Sequence, residues 1–325
     1  MLQQTNRRRS FVAAFLFVGT AANAAVSFEV SFLDPSALYA SYYTDLRNGV
    51  VAAGNDWVSR FNLVHSTTLS VQIGFANIAT GNGASATSVF AGTVGGINIF
   101  EEGASAELRS GIDPNGAAPD ILFNFGINGY LQNELWFDPN PVAQSLPVPT
   151  NKTDARSVFL HEFGHALGFN GWRDATSGTL PGNYASKFDA LSVMNPAATG
   201  GSTITFNGAA AMARYGGAVP LTFGNYGHVG NIAPRAGSEL IGVDGDLMNG
   251  IVFYRGVRYQ ISDLNLAMMQ DMGFQLSAVP ELGSSWLMLF GMTALGGLRL
   301  ARRRREPLLA ATSRRRLSLP IKLPR

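Results

Sequence analysis

VFLHEFGHALGFNGW, residues 158–172, is the stretch on which the reading of this chain turns. Residues four apart on a helix share one face, so His161 and His165 can aim both imidazoles at one point. Glu162 stands about 100° further round the helix, beside that point rather than on it. Two imidazoles and a neighbouring carboxylate in this pattern read as two zinc ligands and a general base. The base would take a proton from a water whose pKa the metal lowers towards ~7, and then pass it to a leaving amine. The context fits a helix from Asp154 to about Leu167. Val158, Phe159 and Leu160 supply its apolar face, Thr153 or Asn151 is expected as its cap, and Gly168 as a left-handed residue ending it. Gly164 inside that helix costs about 1 kcal/mol relative to alanine, which suggests close packing against it.

A site of this kind needs a third protein ligand. Ten residues after His161, where the commonest extended motif places that ligand, stands Gly171, which has no side chain to offer. The chain has no cysteine and four histidines, at 65, 161, 165 and 228, so thiolate ligands and disulfides are excluded and the search is short. The glutamates after His165 are Glu239, Glu281 and Glu306, none in a helical pattern with a suitable neighbour. Asp174 follows the helix closely but is offset by three residues. Asp189 reads better as a cap or loop brace. His228, in FGNYGHVGNI, is the best candidate, and His65, at the end of an early helix, reads as structural.

Outward from this stretch, VSFEVSFL (26–33) alternates as a first strand, and 68–76, 97–100 and 120–127 are further strand candidates. Residues 41–63 carry apolar residues at helical spacing. Residues 79–88 form a Gly/Ser/Ala-rich loop by composition, and 135–153 is loop punctuated by proline. Residues 171–260 are rich in turns, and a last amphipathic helix over 261–274 is capped by Ser262. Strands and a helix first, then the motif helix, then an irregular region closed by a helix, make an α+β arrangement. A substrate strand would lie along an edge strand, for which 120–127 and 94–100 are the candidates.

The formal net charge of +2 hides an asymmetry. Thirteen of the 24 lysines and arginines lie at the two ends, and segment 25–281 keeps 11 bases against 21 acids. An acidic domain without a basic patch argues against nucleic acid as a partner. Residues 1–24 read as a secretory signal peptide. Arg7–Arg9 precede an apolar run from Phe11 to Val18 and an Ala22-Asn23-Ala24 cleavage site. At the other end, an apolar stretch from Trp286 to Leu298 precedes an arginine block at 302–305, which would stay cytoplasmic.

Two resemblances follow from these residues. Val279-Pro280-Glu281, Ser284-Ser285-Trp286 and the arginine block resemble the PEP-CTERM sorting signal of Gram-negative bacteria. Leu282 replaces the usual second proline, and about twenty residues follow the block. The resemblance implies transient anchoring in the inner membrane through 277–305, processing by an exosortase-like enzyme, and release to the surface or exterior; 306–325 is a basic tail. Separately, HEFGHALGF, His228, Met248 in Asp246-Leu247-Met248-Asn249-Gly250, and the closing helix ending Asp-Met-Gly-Phe resemble the metzincins, most closely the leishmanolysin-like branch. In that branch a long insertion separates the third histidine from the motif helix. The gap between His228 and Met248 is longer here than in that pattern. The resemblance covers about residues 154–274. It implies a zincin-like two-lobed domain over 25–276, with His161, His165 and His228 as Zn2+ ligands, Glu162 as base and Met248 as the floor of a Met-turn. The implied activity is endopeptidase action on protein or peptide substrates. A non-catalytic, zinc-stapled surface or biofilm-matrix binding protein is the rival expectation. Asp244 and Asp246 read as turn residues rather than calcium ligands, and Tyr254 as a candidate oxyanion stabiliser.

Overall fold

The computed structural model describes residues 24–194, 204–230, 245–250 and 253–277. The signal-peptide residues 1–23, the sorting-signal region from 278, Glu239, Asp244, Glu281 and Glu306 lie outside the described residues. Among the described residues no helix is long and apolar enough to cross a membrane.

The chain is a mixed α+β fold with several small sheets. It begins with β1 (Val26–Leu33), a 3-10 turn at Ala40–Tyr42, α1 (Tyr43–Ser59) and β2 (Thr67–Ala76). There follow β3 (Gly81–Ser85), β4 (Ser88–Val94), β5 (Ile97–Glu102), α2 (Gly103–Ser110) and β6 (Ile121–Gly126). A π-helical turn at Tyr130–Glu134 leads into β7 (Leu135–Trp136). Next come β8 (Thr153–Asp154), α3 (Ala155–Leu167), β9 (Tyr184–Ser186), α4 (Lys187–Ala190) and β10 (Ser192–Met194). The described chain ends with β11 (Ile204–Phe206), α5 (Ala209–Tyr215), β12 (Val219–Pro220) and α6 (Asp263–Asp271).

The principal sheet has the order β1-β2-β6-β3. The first three strands are parallel and β3 runs antiparallel at the edge. Residues 120–127 therefore hold an inner strand, and 94–100 covers the last residue of β4, a two-residue turn and most of β5, the middle strand of a second sheet. Neither offers a free edge. The sheet's edges are β1 and β3, and β3, the edge that lies beside α3, falls within the segment whose composition reads as loop. GNGAS has no large apolar residue to announce a strand, but its glycines at 81 and 83 fall on one face with period two. A Cβ on Gly83 would sit 2.6 Å from Glu162 Cβ and 2.7 Å from the Glu162 carbonyl oxygen, and one on Gly81 would be 3.4 Å from Val158 Cγ1. Glycine lets this strand lie directly on α3.

α3 is buried at every residue but His165, as expected of a helix apolar on most sides. Phe163 packs edge-on against Phe28 and Phe123 of the sheet, with ring centroids 5.5 and 5.0 Å apart. On another side lies α1. Trp57 Nε1 donates to the Leu160 carbonyl at 2.8 Å, and a Cβ on Gly49 would overlap the Phe159 ring. The N-cap is Asp154 rather than Thr153 or Asn151; its carboxylate accepts from Ser157 N at 3.0 Å. Gly168 ends the helix at φ 160°, outside the left-handed region. A Cβ there would lie 2.8 Å from Met272 Cε, so glycine lets the Met272 side chain pack against the helix end. α6 carries the expected Ser262 cap, as a capping box with Asn265.

Candidate metal centre

α3 presents His161 and His165 one turn apart, and the loop between β12 and the 245–250 turn brings His228 to them. His165 Nε2 lies 3.0 Å, and His228 Nε2 3.1 Å, from His161 Nε2. Among the described residues these three form a cluster able to hold a metal ion. The backbone fixes the tautomers. His161 Nδ1 is 2.7 Å from the Leu247 carbonyl oxygen and His165 Nδ1 is 2.5 Å from that of Phe169. A carbonyl only accepts, so both Nδ1 atoms carry the proton and both Nε2 atoms present lone pairs. Two lone pairs 3.0 Å apart have no proton to share, and a cation at their meeting point relieves the conflict. Zn–N bonds of about 2.0–2.1 Å in tetrahedral geometry place ligand nitrogens about 3.3 Å apart. The donor set, the tautomers and the spacing all fit zinc.

The rings are held neutral as well. Burial, then the neighbouring His165, pushes His161 down to about 3. Burial lowers His165, and burial together with the other two rings lowers His228 well below the ordinary histidine range. Neutral imidazole is the form that binds a metal.

Gly171 has a part in this site without being a ligand. A Cβ there would meet Tyr226 C, Tyr226 O and Gly227 N, each at 3.2 Å. The loop carrying His228 returns across the bare backbone of Gly171, so the absent side chain makes room for the ligand that comes from elsewhere. Gly250 does the same on the other side, where a Cβ would lie 2.8 Å from His228 Cβ.

Met248 is fully buried, and its sulfur would be 2.4 Å from a Cβ on Gly164, so the glycine in the motif helix admits the methionine. The turn around it serves two histidines at once. Leu247 O receives His161 Nδ1, and Met248 O accepts from Val229 N, next to His228, at 2.9 Å. Asp246 anchors that turn to α6. Its carboxylate accepts from Met248 N (2.8 Å), Ser262 Oγ (2.6 Å) and Asn265 Nδ2 (2.7 Å). That is turn chemistry.

Glu162 is nearly buried, and burial raises its carboxyl to about 8, opposed by the Gly83 N–H. It lines, with the three histidines, a cleft of about 820 Å3. β3 residues 81–83 form part of the rim, and asparagines at 82, 133, 170 and 225 supply neutral donors and acceptors. Tyr254 is exposed and is not part of the lining. The tyrosine that faces the cleft is Tyr130, held protonated by burial and then by the charges of Glu162 and Glu134. The proline-punctuated loop that follows it in sequence hides this residue from a motif search.

The other ligand candidates are occupied elsewhere. Asp174 is an exposed turn residue accepting from Thr176 N and Ser177 N. Asp189 is buried and braces the chain after α3 by accepting from Trp172 N at 2.7 Å. His65 is exposed, beside Gly111. Comparison of the chain with protein-family models, with curated proteins and with solved structures finds no match.

Proposed function

We propose that the protein is an exported zinc-dependent metalloendopeptidase with a zincin-like, two-lobed domain of metzincin type. The observation that carries this reading is the convergence of three Nε2 atoms, two of them fixed as lone pairs, beside a buried glutamate in a cleft rimmed by an edge strand. His161, His165 and His228 hold the metal. Bound there, a zinc ion supplies Lewis-acid chemistry, polarising the scissile carbonyl and making water acidic enough to lose a proton near neutral pH.

The protein's own residues do the rest. The carbonyls of Leu247 and Phe169 hold two ligands in the metal-binding tautomer. With the metal bound, Glu162 would hold its carboxylate form against the burial that raises its pKa. The carboxylate then takes a proton from water and delivers it to the leaving amine. The Tyr130 phenol, kept protonated in the cleft lining, would donate to the developing oxyanion. The unpaired side of β3 offers backbone N–H and C=O groups to an extended peptide, which suits protein substrates and gives affinity without demanding particular side chains.

Export rests on the sequence of the two termini and is part of the proposal. The test is hydrolysis of an unstructured protein such as casein by the purified protein and by Glu162→Gln. The variant should lose activity while retaining its zinc. Full activity in Glu162→Gln, or none in the zinc-loaded parent, would overturn the reading.

A further inference from the structure

A second cluster lies away from the histidines, where α2 ends and β6 begins. Glu107, Asp113 and Asp120 bring carboxylate oxygens within 4.8 Å of one another. Glu107 and Asp120 are 2% and 3% exposed. Each gives one oxygen to a hydroxyl or amide donor, and the other has no such donor. Glu107 Oε1 accepts from Thr67 Oγ1 at 2.5 Å, while Oε2 has no partner. Asp120 Oδ2 accepts from Ser70 N and Oγ, both at 2.7 Å, while Oδ1 has none. Asn115 Oδ1, in the loop between them, is also buried without a partner. Among the described residues no cation pairs with any of the three carboxylates. The nearby Arg109 turns instead to Glu101.

Burying a carboxylate with a naked oxygen is costly, and facing a second carboxylate multiplies that cost unless a cation intervenes. Burial, against the lowering by the Thr67 hydrogen bond, raises the Glu107 carboxyl to about 7, helped by the charge of Asp120, a hydrogen bond with the Asp120 carboxyl and the charge of Asp113. The donors are all oxygen, without histidine or cysteine, which selects a hard ion. Side chains drawn from a helix, a loop and the residue just before a strand suit the larger, less directional of the common ones.

We infer that Glu107, Asp113 and Asp120 form a calcium site that clips the end of α2 and the 111–119 loop to β2 and β6 of the principal sheet. It is independent of the zinc centre and of catalysis. Its work is to hold the sheet whose edge strand rims the cleft, and an exported protein without disulfides has use for such a clip.

Equilibrium dialysis of the full chain against calcium, with zinc present throughout, tests this. The parent should bind about one calcium with Kd on the order of 10⁻⁴ M, and calcium should raise its Tm. Asp113→Asn, on the exposed side of the loop, should fold normally, bind calcium at least about tenfold more weakly, and lose the Tm increase. Glu107→Gln should do the same. The competing chemistry is a proton shared between Glu107 and Asp120. In that case the parent binds no calcium and Glu107→Gln melts at or above the parent temperature, which overturns the inference. Equal calcium binding by parent and Asp113→Asn also overturns it, because the ion would then sit elsewhere.

Discussion

Replacing Gly83 by alanine tests how the edge strand meets the motif helix. The added methyl would begin 2.6 Å from Glu162 Cβ, 2.7 Å from the Glu162 carbonyl oxygen and 2.7 Å from Phe123 Cε1. Carbon atoms in ordinary contact are about 3.5–4.0 Å apart, so roughly 1 Å of separation must be gained. The helix backbone cannot give, because Trp57 and Phe163 pin α3 on two sides. The Phe123 ring is wedged against Phe163. The edge strand is what moves. Overpacking of this kind costs about 1–3 kcal/mol, which for a domain of this size lowers Tm by about 2–12 °C. Because the strand is proposed to seat the substrate beside Glu162, a shift of about 1 Å should also lower kcat/KM by about 100-fold, with zinc content unchanged. Gly245→Ala, where a Cβ meets nothing within 4 Å, serves as control and should melt like the parent. Differential scanning calorimetry and a peptidase assay read both effects. If Gly83→Ala melts within about 1 °C of the control, β3 does not lie on α3 and the cleft is built differently.

Two further outcomes are expected. Gly171→Ala should weaken zinc binding by about 10- to 100-fold, as loss of support around a metal ligand does, with little change in Tm; competition with a chromogenic chelator would show it, and unchanged affinity would deny that the His228 loop rests on Gly171. Burial raises Glu102 to about 7 against the lowering by its Asn170 hydrogen bond, so its contribution to stability is fully present below the unfolded pKa near 4.5 and is lost as pH rises through about 7. Glu102→Gln, which keeps the acceptor without the charge, should gain on the parent as pH rises from 5 to 8, by up to about 3 kcal/mol. A difference in urea midpoint that stays flat with pH would contradict this.

Much of the fold was legible in the sequence where burial imposes a period. β1, β2, β5, β6, α1, α3 and the capped α6 all alternate or recur as their faces require. What escaped had no such signature. α2 (GASAELRS) and α5 (AAAMARY) are short and built of small residues between glycines, so composition reads as turn. β3 escaped because its fit depends on having no side chains on the face it turns to α3. The histidines of the site were legible because they are scarce; with four in the chain, His228 emerged almost by elimination. The carbonyls of Leu247 and Phe169 could not be read at all, since every residue has one and only the fold aims these two. The Glu107, Asp113 and Asp120 cluster was hidden for the same reason that α2 was: without that helix nothing brings Glu107 to the other two.

Zinc content, by elemental analysis of the purified protein and of His228→Ala, tests the central claim most directly. Three convergent Nε2 atoms predict about one zinc per chain in the parent and a large loss when the third ring is removed, because two imidazoles alone make a weak site. A parent that binds no zinc, or a variant that keeps it undiminished, would contradict the account.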